Sequence, residues 1–169
     1  MNRFELDILS SIPPFHNKVV FQKLINNGKC LYDEFCLQIQ KNGNQRKDLT
    51  KIESIISMIA KGSRNPKFKE LKGRKESEDP YKDYEIKVNQ LRIFLFEDKE
   101  EGKIIVFGIV KKDTKKQNSA IEKMREIKKE YFEEKKSILE NIEKEKRKID
   151  LKDSKSEEIS TEITDKKTF

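Results

Sequence analysis

Tryptophan is absent from this chain, histidine occurs once and cysteine twice, among 169 residues. A single histidine, His16, and two cysteines, Cys30 and Cys36, fall short of the ligand set a zinc site needs. His16 follows Pro13, Pro14 and Phe15, a setting that makes it a turn or surface residue rather than a catalytic base. No apolar run reaches the length of a bilayer-spanning helix. The first fifteen residues, MNRFELDILSSIPPF, lack the basic-then-apolar layout of a signal peptide. Cytoplasm is therefore the expected location, with no membrane partner and with both cysteines reduced and packed in the core. Apolar residues are themselves scarce, 34% against 41% charged. That balance predicts a compact core over part of the length and a solvated remainder.

What the chain has instead is lysine, unevenly placed. Over residues 61–132, twenty Lys and Arg face fourteen Asp and Glu, while residues 1–60 and 133–169 are close to balanced. The basic excess coincides with the strand-forming part of the sequence, which favours an anionic partner. A lysine-rich solubilising surface is the alternative.

Read along the chain, FELDI and KVVFQKL each have strand character. Leu31, Phe35 and Ile39 recur at helical spacing and predict a first helix from about Asp33. Ile52, Ile55, Ile56 and Ile59 form the stripe of a second, with Asp48 as its expected N-cap and Gly62 closing it. Residues 63–83 read as a polar connector containing the basic, Phe- and Leu-anchored KFKELKG. Three strands follow between Tyr84 and Val110, with a turn at Asp98 to Gly102. Ile121, Met124, Ile127 or Lys128, and Tyr131 then mark a third helix, expected from about Asn118 to Lys148 and followed by a disordered tail. The expected class is α+β: a small antiparallel sheet with two helices ahead of the main strands, a long C-terminal helix, and one sheet face left open.

A two-residue turn at Asn89 and Gln90 pairs Lys87 with Arg92 and Glu85 with Phe94. Alternation then puts Tyr84, Ile86, Val88, Leu91, Ile93 and Leu95 on one apolar face, and Glu85, Lys87, Arg92, Phe94 and Phe96 on the other. Two cations directly opposed destabilise a hairpin by roughly 0.2–1 kcal/mol. A phosphate between them supplies the missing charge, since an arginine fork fits it and lysine adds a point charge. Phe94 and Phe96 are candidates for stacking bases, or else apolar fill. Lys111, Lys112, Lys115 and Lys116 follow at the end of the third strand, and Gly108 leaves room there for a close approach.

The run KFKELKG, YEIKV, QLRIFLF and GKIIVFGIVKKDTKK, with a closing helix, resembles the RelE/HigB superfamily of toxins of type II toxin–antitoxin systems, in particular the HigB-like, phage-derived branch. The resemblance covers about residues 30–132. Residues 1–29 are then an N-terminal extension, 133–149 a continuation of the helix and 150–169 a charged tail. It implies a RelE-like fold and a metal-independent endoribonuclease, without cofactor, that cleaves mRNA on the ribosome and inhibits translation. It also implies a cognate antitoxin, a helix-turn-helix HigA-like protein. By position it assigns Lys87, Arg92 and Lys112, or Lys111 if the register slips, to the scissile phosphate; Lys69, Lys72, Lys111, Lys115 and Lys116 are further candidate RNA contacts. The late position of the family's site, often a tyrosine or histidine, falls near Gln117 or Asn118, and neither amide is a general acid. Attack by an RNA 2′-hydroxyl needs a proton acceptor, for which Glu85 or Lys87 is the candidate. The alternatives are a non-catalytic RNA- or protein-binding module of the same fold, and a ParE-like inhibitor of another target such as gyrase.

Overall fold

Strand alternation at Asn89 and Gln90 produces the hairpin it predicts. In the structure, a computed structural model that describes residues 2–12 and 17–165, with side chains described to residue 155, strand β4 (Asp83–Val88) pairs antiparallel with β5 (Leu91–Asp98). Val88 lies opposite Leu91 and Lys87 opposite Arg92. Asn89 takes a positive φ of 48°, which asparagine tolerates in tight hairpin turns. His16, Pro13 and Pro14 lie outside the described residues.

The other strands are β1 (Phe4–Ile8), β2 (Phe21–Asn26), β3 (Phe68–Glu70) and β6 (Gly102–Val110), and the sheet order is β1-β2-β6-β5-β4-β3. All neighbours run antiparallel except β2 and β6, which pair in parallel through Phe21–Lys23 and Lys103–Ile105. The sheet is therefore mixed, not purely antiparallel. The first 29 residues are also no separate extension, because β1 and β2 complete the sheet. The connector holds a strand as well: β3 lines the edge of β4, with Phe68 stacked on Tyr84 at 4.8 Å between ring centroids.

Helix α1 (Leu31–Lys41) begins two residues before Asp33, and α2 (Arg46–Ala60) begins before Asp48, which lies in its first turn rather than at its N-cap. Gly62 ends α2 as expected. Its φ of 89° suits glycine, its N–H donates to the Ile59 carbonyl at 2.9 Å, and Ser63 N–H reaches Met58 at 3.0 Å. Both helices cover the sheet face formed by Ile86, Val88, Leu91, Ile93, Leu95 and Ile105, and the core lies between. At Gly108 α1 packs directly on the strand: a Cβ there would overlap the Phe35 ring. The room that glycine provides is taken by the protein's own core.

Helix α3 (Thr114–Asp165) is 52 residues long, starting before Asn118 and continuing past Lys148. Lysine and glutamate are good helix formers even where no apolar stripe remains to bury, and they carry the helix through the segment expected to be a tail. The chain divides into two units between Glu130 and Tyr131. In the first unit α3 contributes Ala120, Met124, Ile127 and Lys128 as buried residues. In the second, the Tyr131 and Phe132 rings meet edge-on at 5.1 Å, and Leu139, Ile142, Ile149 and Leu151 are exposed. Among the described residues no helix is long and apolar enough to cross a membrane.

Candidate nucleic-acid interface

The face expected to be open carries a cover. Phe94 and Phe96 are both fully buried. They therefore present no surface on which a base can stack, and their role is packing. Phe94 meets Phe107 of β6 at 5.6 Å, and α3 from Gln117 to Lys128 lies over this side. Its attachment is electrostatic as well as apolar. Buried Asp83 accepts from Arg125 Nε at 2.9 Å and Nη2 at 3.2 Å, and from Lys128 Nζ at 2.9 Å. Lys128 Nζ also donates to the Tyr81 carbonyl at 2.9 Å and pairs with Asp79. Arg125 Nη2 donates to the Lys72 carbonyl at 2.9 Å. A carboxylate without exposure, held by two cations and surrounded by acceptors for their remaining protons, is the arrangement in which a buried charge is tolerated.

Arg92 and Glu85 lie on the same covered face. Arg92 is 3% exposed and Glu85 7%. The Glu85 carboxylate stands 3.8 Å from Arg92 Nε and accepts a hydrogen bond from the Gln117 side-chain amide at the start of α3. Arg92 Nη1 donates to the carbonyls of Asn89 at 2.6 Å and Leu91 at 2.9 Å, but its Nε has no hydrogen-bond partner among the described residues. Burial lowers the Arg92 pKa, and the Glu85 charge works against that shift. Glu85 is thus the internal counter-charge for Arg92. As they stand, Arg92 and Glu85 are closed off from a substrate rather than presented to one.

The lysines fare differently. Lys87 is exposed at the hairpin end of β4. The Lys111 N–H donates to the Gln90 carbonyl at 2.7 Å, tying the end of β6 to the same turn. Lys112, Lys115 and Lys116 are exposed around the first turn of α3. Asp113 caps that turn, accepting the Lys116 N–H at 2.7 Å, and no acidic residue occupies the turn itself. Lys116 Nζ donates to the Val110 carbonyl at 2.9 Å. None of these five lysines has a carboxylate within ion-pair distance among the described residues. Cations at the positive pole of a helix dipole, with one Asp among them, make a field that stability alone does not favour.

Of the other expected contacts, Lys69 is exposed on β3 opposite Glu85, on the α3 side. Lys72 lies toward the Asp83 end and does not join the hairpin cluster. The structure therefore brings together Lys87, Lys111, Lys112, Lys115 and Lys116, places Arg92 and Glu85 beneath them, and removes Phe94, Phe96 and Lys72. Sequence reasoning missed the Asp83, Arg125 and Lys128 network. Its signal was an aspartate on the strand face that also bears two phenylalanines, with two cations three residues apart on the helix. Among the described residues no group of His, Cys, Asp and Glu is arranged to hold a metal ion. Cys30 and Cys36 are free thiols, and burial pushes the Cys36 pKa up to about 11. Compared with known proteins, the chain matches no protein-family model, no curated protein and no solved structure.

Proposed function

We propose that this protein is an RNA-directed toxin of the RelE/HigB kind, an endoribonuclease that grips mRNA at the hairpin end of its sheet and is neutralised by a cognate antitoxin. One observation carries the reading: five lysines gather at the turn and at the N-terminus of α3 without a facing carboxylate. The RNA backbone is the repeating anion that such a cluster suits. Part of the element order adds support, since the helix pair, the antiparallel run β4–β5–β6 and the closing helix follow the layout the family resemblance implies, with β1, β2 and β3 in addition. In this reading Lys87 and Lys112 meet the phosphate first. Arg92, whose Nε has no hydrogen-bond partner, completes the clamp once the Gln117–Glu85 bond opens, and Glu85 is then free to accept the 2′-hydroxyl proton.

The test is induced expression of the full chain, with growth followed and new mRNA 5′ ends mapped. Growth arrest with cleaved mRNA is expected, and Lys87→Ala with Lys112→Ala should abolish both without unfolding the protein. Cleavage undiminished in that double variant overturns the site. The enclosure of Arg92 and Glu85 favours a second reading, an RNA-binding module without cleavage. Purified protein that retains RNA on a filter and yields no new ends selects it.

A further inference from the structure

The pairing pattern of β6 leaves part of a sheet edge unused. Parallel pairing with β2 ends at Lys23 and Ile105, and β2 goes on to pair with β1 alone. Beyond that point β6 has a strand on one side only. Val88 lies opposite Leu91 across a two-residue turn, so the Leu91 amide and carbonyl point to β4. Arg92 and Phe94 consequently bond β6 through Ile109 and Phe107, and the Lys111 N–H bond to Gln90 keeps the same alternation. Gly108 and Val110 are left with their amides and carbonyls aimed away from β5, at the side β2 has vacated. Lys116 Nζ occupies the Val110 carbonyl. Among the described residues no strand pairs with β6 on this side beyond Ile105.

At Gly108 this edge meets a cleft of about 370 Å³ between α1 and α3, whose floor is Phe107, Gly108 and Ile109 of β6. Leu31 and Phe35 line its α1 wall, and Lys116 and Lys123 its α3 wall. Lys123 stands 5.3 Å over the Phe107 ring, and Glu34 is on the α1 side. A segment laid along the edge in extended form would send alternate side chains to the two walls. The wall toward α1 takes apolar side chains, and the wall toward α3 takes carboxylates.

We infer that the free edge of β6 at Gly108 and Val110 is a docking site for an extended peptide of a partner protein that alternates apolar and acidic residues and adds a strand to the sheet. Main-chain hydrogen bonds give such a contact its affinity, and the two walls give its specificity. The inference does not depend on RNA cleavage, because the cleft shares only Lys116 with the lysine cluster and takes a different class of partner.

The experiment is amide hydrogen exchange by NMR on the full chain, with blocked peptides as probes: Thr-Val-Glu-Val-Glu-Val-Thr, its Lys-for-Glu counterpart, and the acidic peptide N-methylated at alternate amides. In the free protein the Gly108 and Val110 amides should exchange about tenfold or more faster than those of Phe107 and Ile109, which bond β5. Saturating acidic peptide should slow Gly108 and Val110 by about tenfold, while the Lys counterpart and the N-methylated peptide should each bind about tenfold more weakly. Lys123→Glu should reduce the preference for the acidic peptide by about threefold. The inference is overturned by Gly108 and Val110 amides already as protected as their neighbours in the free chain, by no binding of the acidic peptide at millimolar concentration, or by equal binding of the N-methylated peptide. Slowing of the same amides by a single-stranded RNA oligomer, with none by the peptide, would assign the cleft to nucleic acid instead.

Discussion

The two ends of the sheet handle positive charge in opposite ways. At the end away from the hairpin turn, cations meet carboxylates: Arg125 and Lys128 on Asp83, Lys103 on Glu97 at 3.3 Å, and Lys82 on Glu70 at 3.3 Å. Lys103 also sits 4.0 Å above the Tyr84 ring. At the hairpin end Lys87 faces Arg92 across the strands, and lysines crowd the positive pole of α3 with Asp113 alone among them. The first end is arranged as folding would have it. The second opposes folding locally, and an arrangement that stability does not favour points to a partner outside the chain.

Breaking the paired end should have the largest effect. Asp83→Ala leaves Arg125 of α3 without its carboxylate and Lys128 with Asp79 alone, and should cost about 3–5 kcal/mol, read from urea unfolding. Loss of under about 1 kcal/mol would show that α3 is held by its apolar face alone. Gly108→Ala should cost about 1–3 kcal/mol, since the added Cβ overlaps the Phe35 ring. Lys87→Thr, at the other end, should leave stability unchanged or raise it by roughly 0.2–1 kcal/mol as the like-charge pair disappears. A clear loss there would mean that Lys87 has a structural partner and would remove the contrast.

A smaller effect concerns pH. Burial lowers the Lys103 pKa despite the Glu97 charge. With the folded pKa below the unfolded one, its proton is bound more tightly by the unfolded chain. Its contribution to stability therefore rises with pH between the two values. The wild type should lose less stability than Lys103→Met as pH climbs toward the ordinary lysine range, in parallel urea titrations.

Much of this was legible in the sequence, for local reasons. Period-two alternation and a two-residue turn determine the β4–β5 register without reference to anything else, and the isoleucine stripe with Gly62 defines α2. The parallel pairing of β2 with β6 is contact between segments some eighty residues apart, and neither segment carries a mark of it. The cover over the second sheet face did leave traces. Phe94 and Phe96 on the nominally polar face, and Met124 and Ile127 on α3, each need apolar company, and of the two roles open to the rings the structure bears out apolar fill. Asp83 reads as the last residue of a polar connector because its partners Arg125 and Lys128 lie more than forty residues on. For the candidate site, the lysines of KKDTKK stand where they were expected. The enclosure of Glu85 depends on Gln117, whose amide is no general acid but donates a hydrogen bond to the Glu85 carboxylate from α3.

The most direct test of the contrast is the salt dependence of RNA affinity for three full-length proteins: wild type, Lys87→Ala with Lys112→Ala and Lys115→Ala, and Lys75→Ala with Lys82→Ala. Each phosphate-contacting lysine removed should flatten the log–log slope by roughly one unit, so the hairpin-end triple variant should lose about three and the paired-end variant almost nothing. Equal flattening in both variants, or none in the triple variant, would contradict the account.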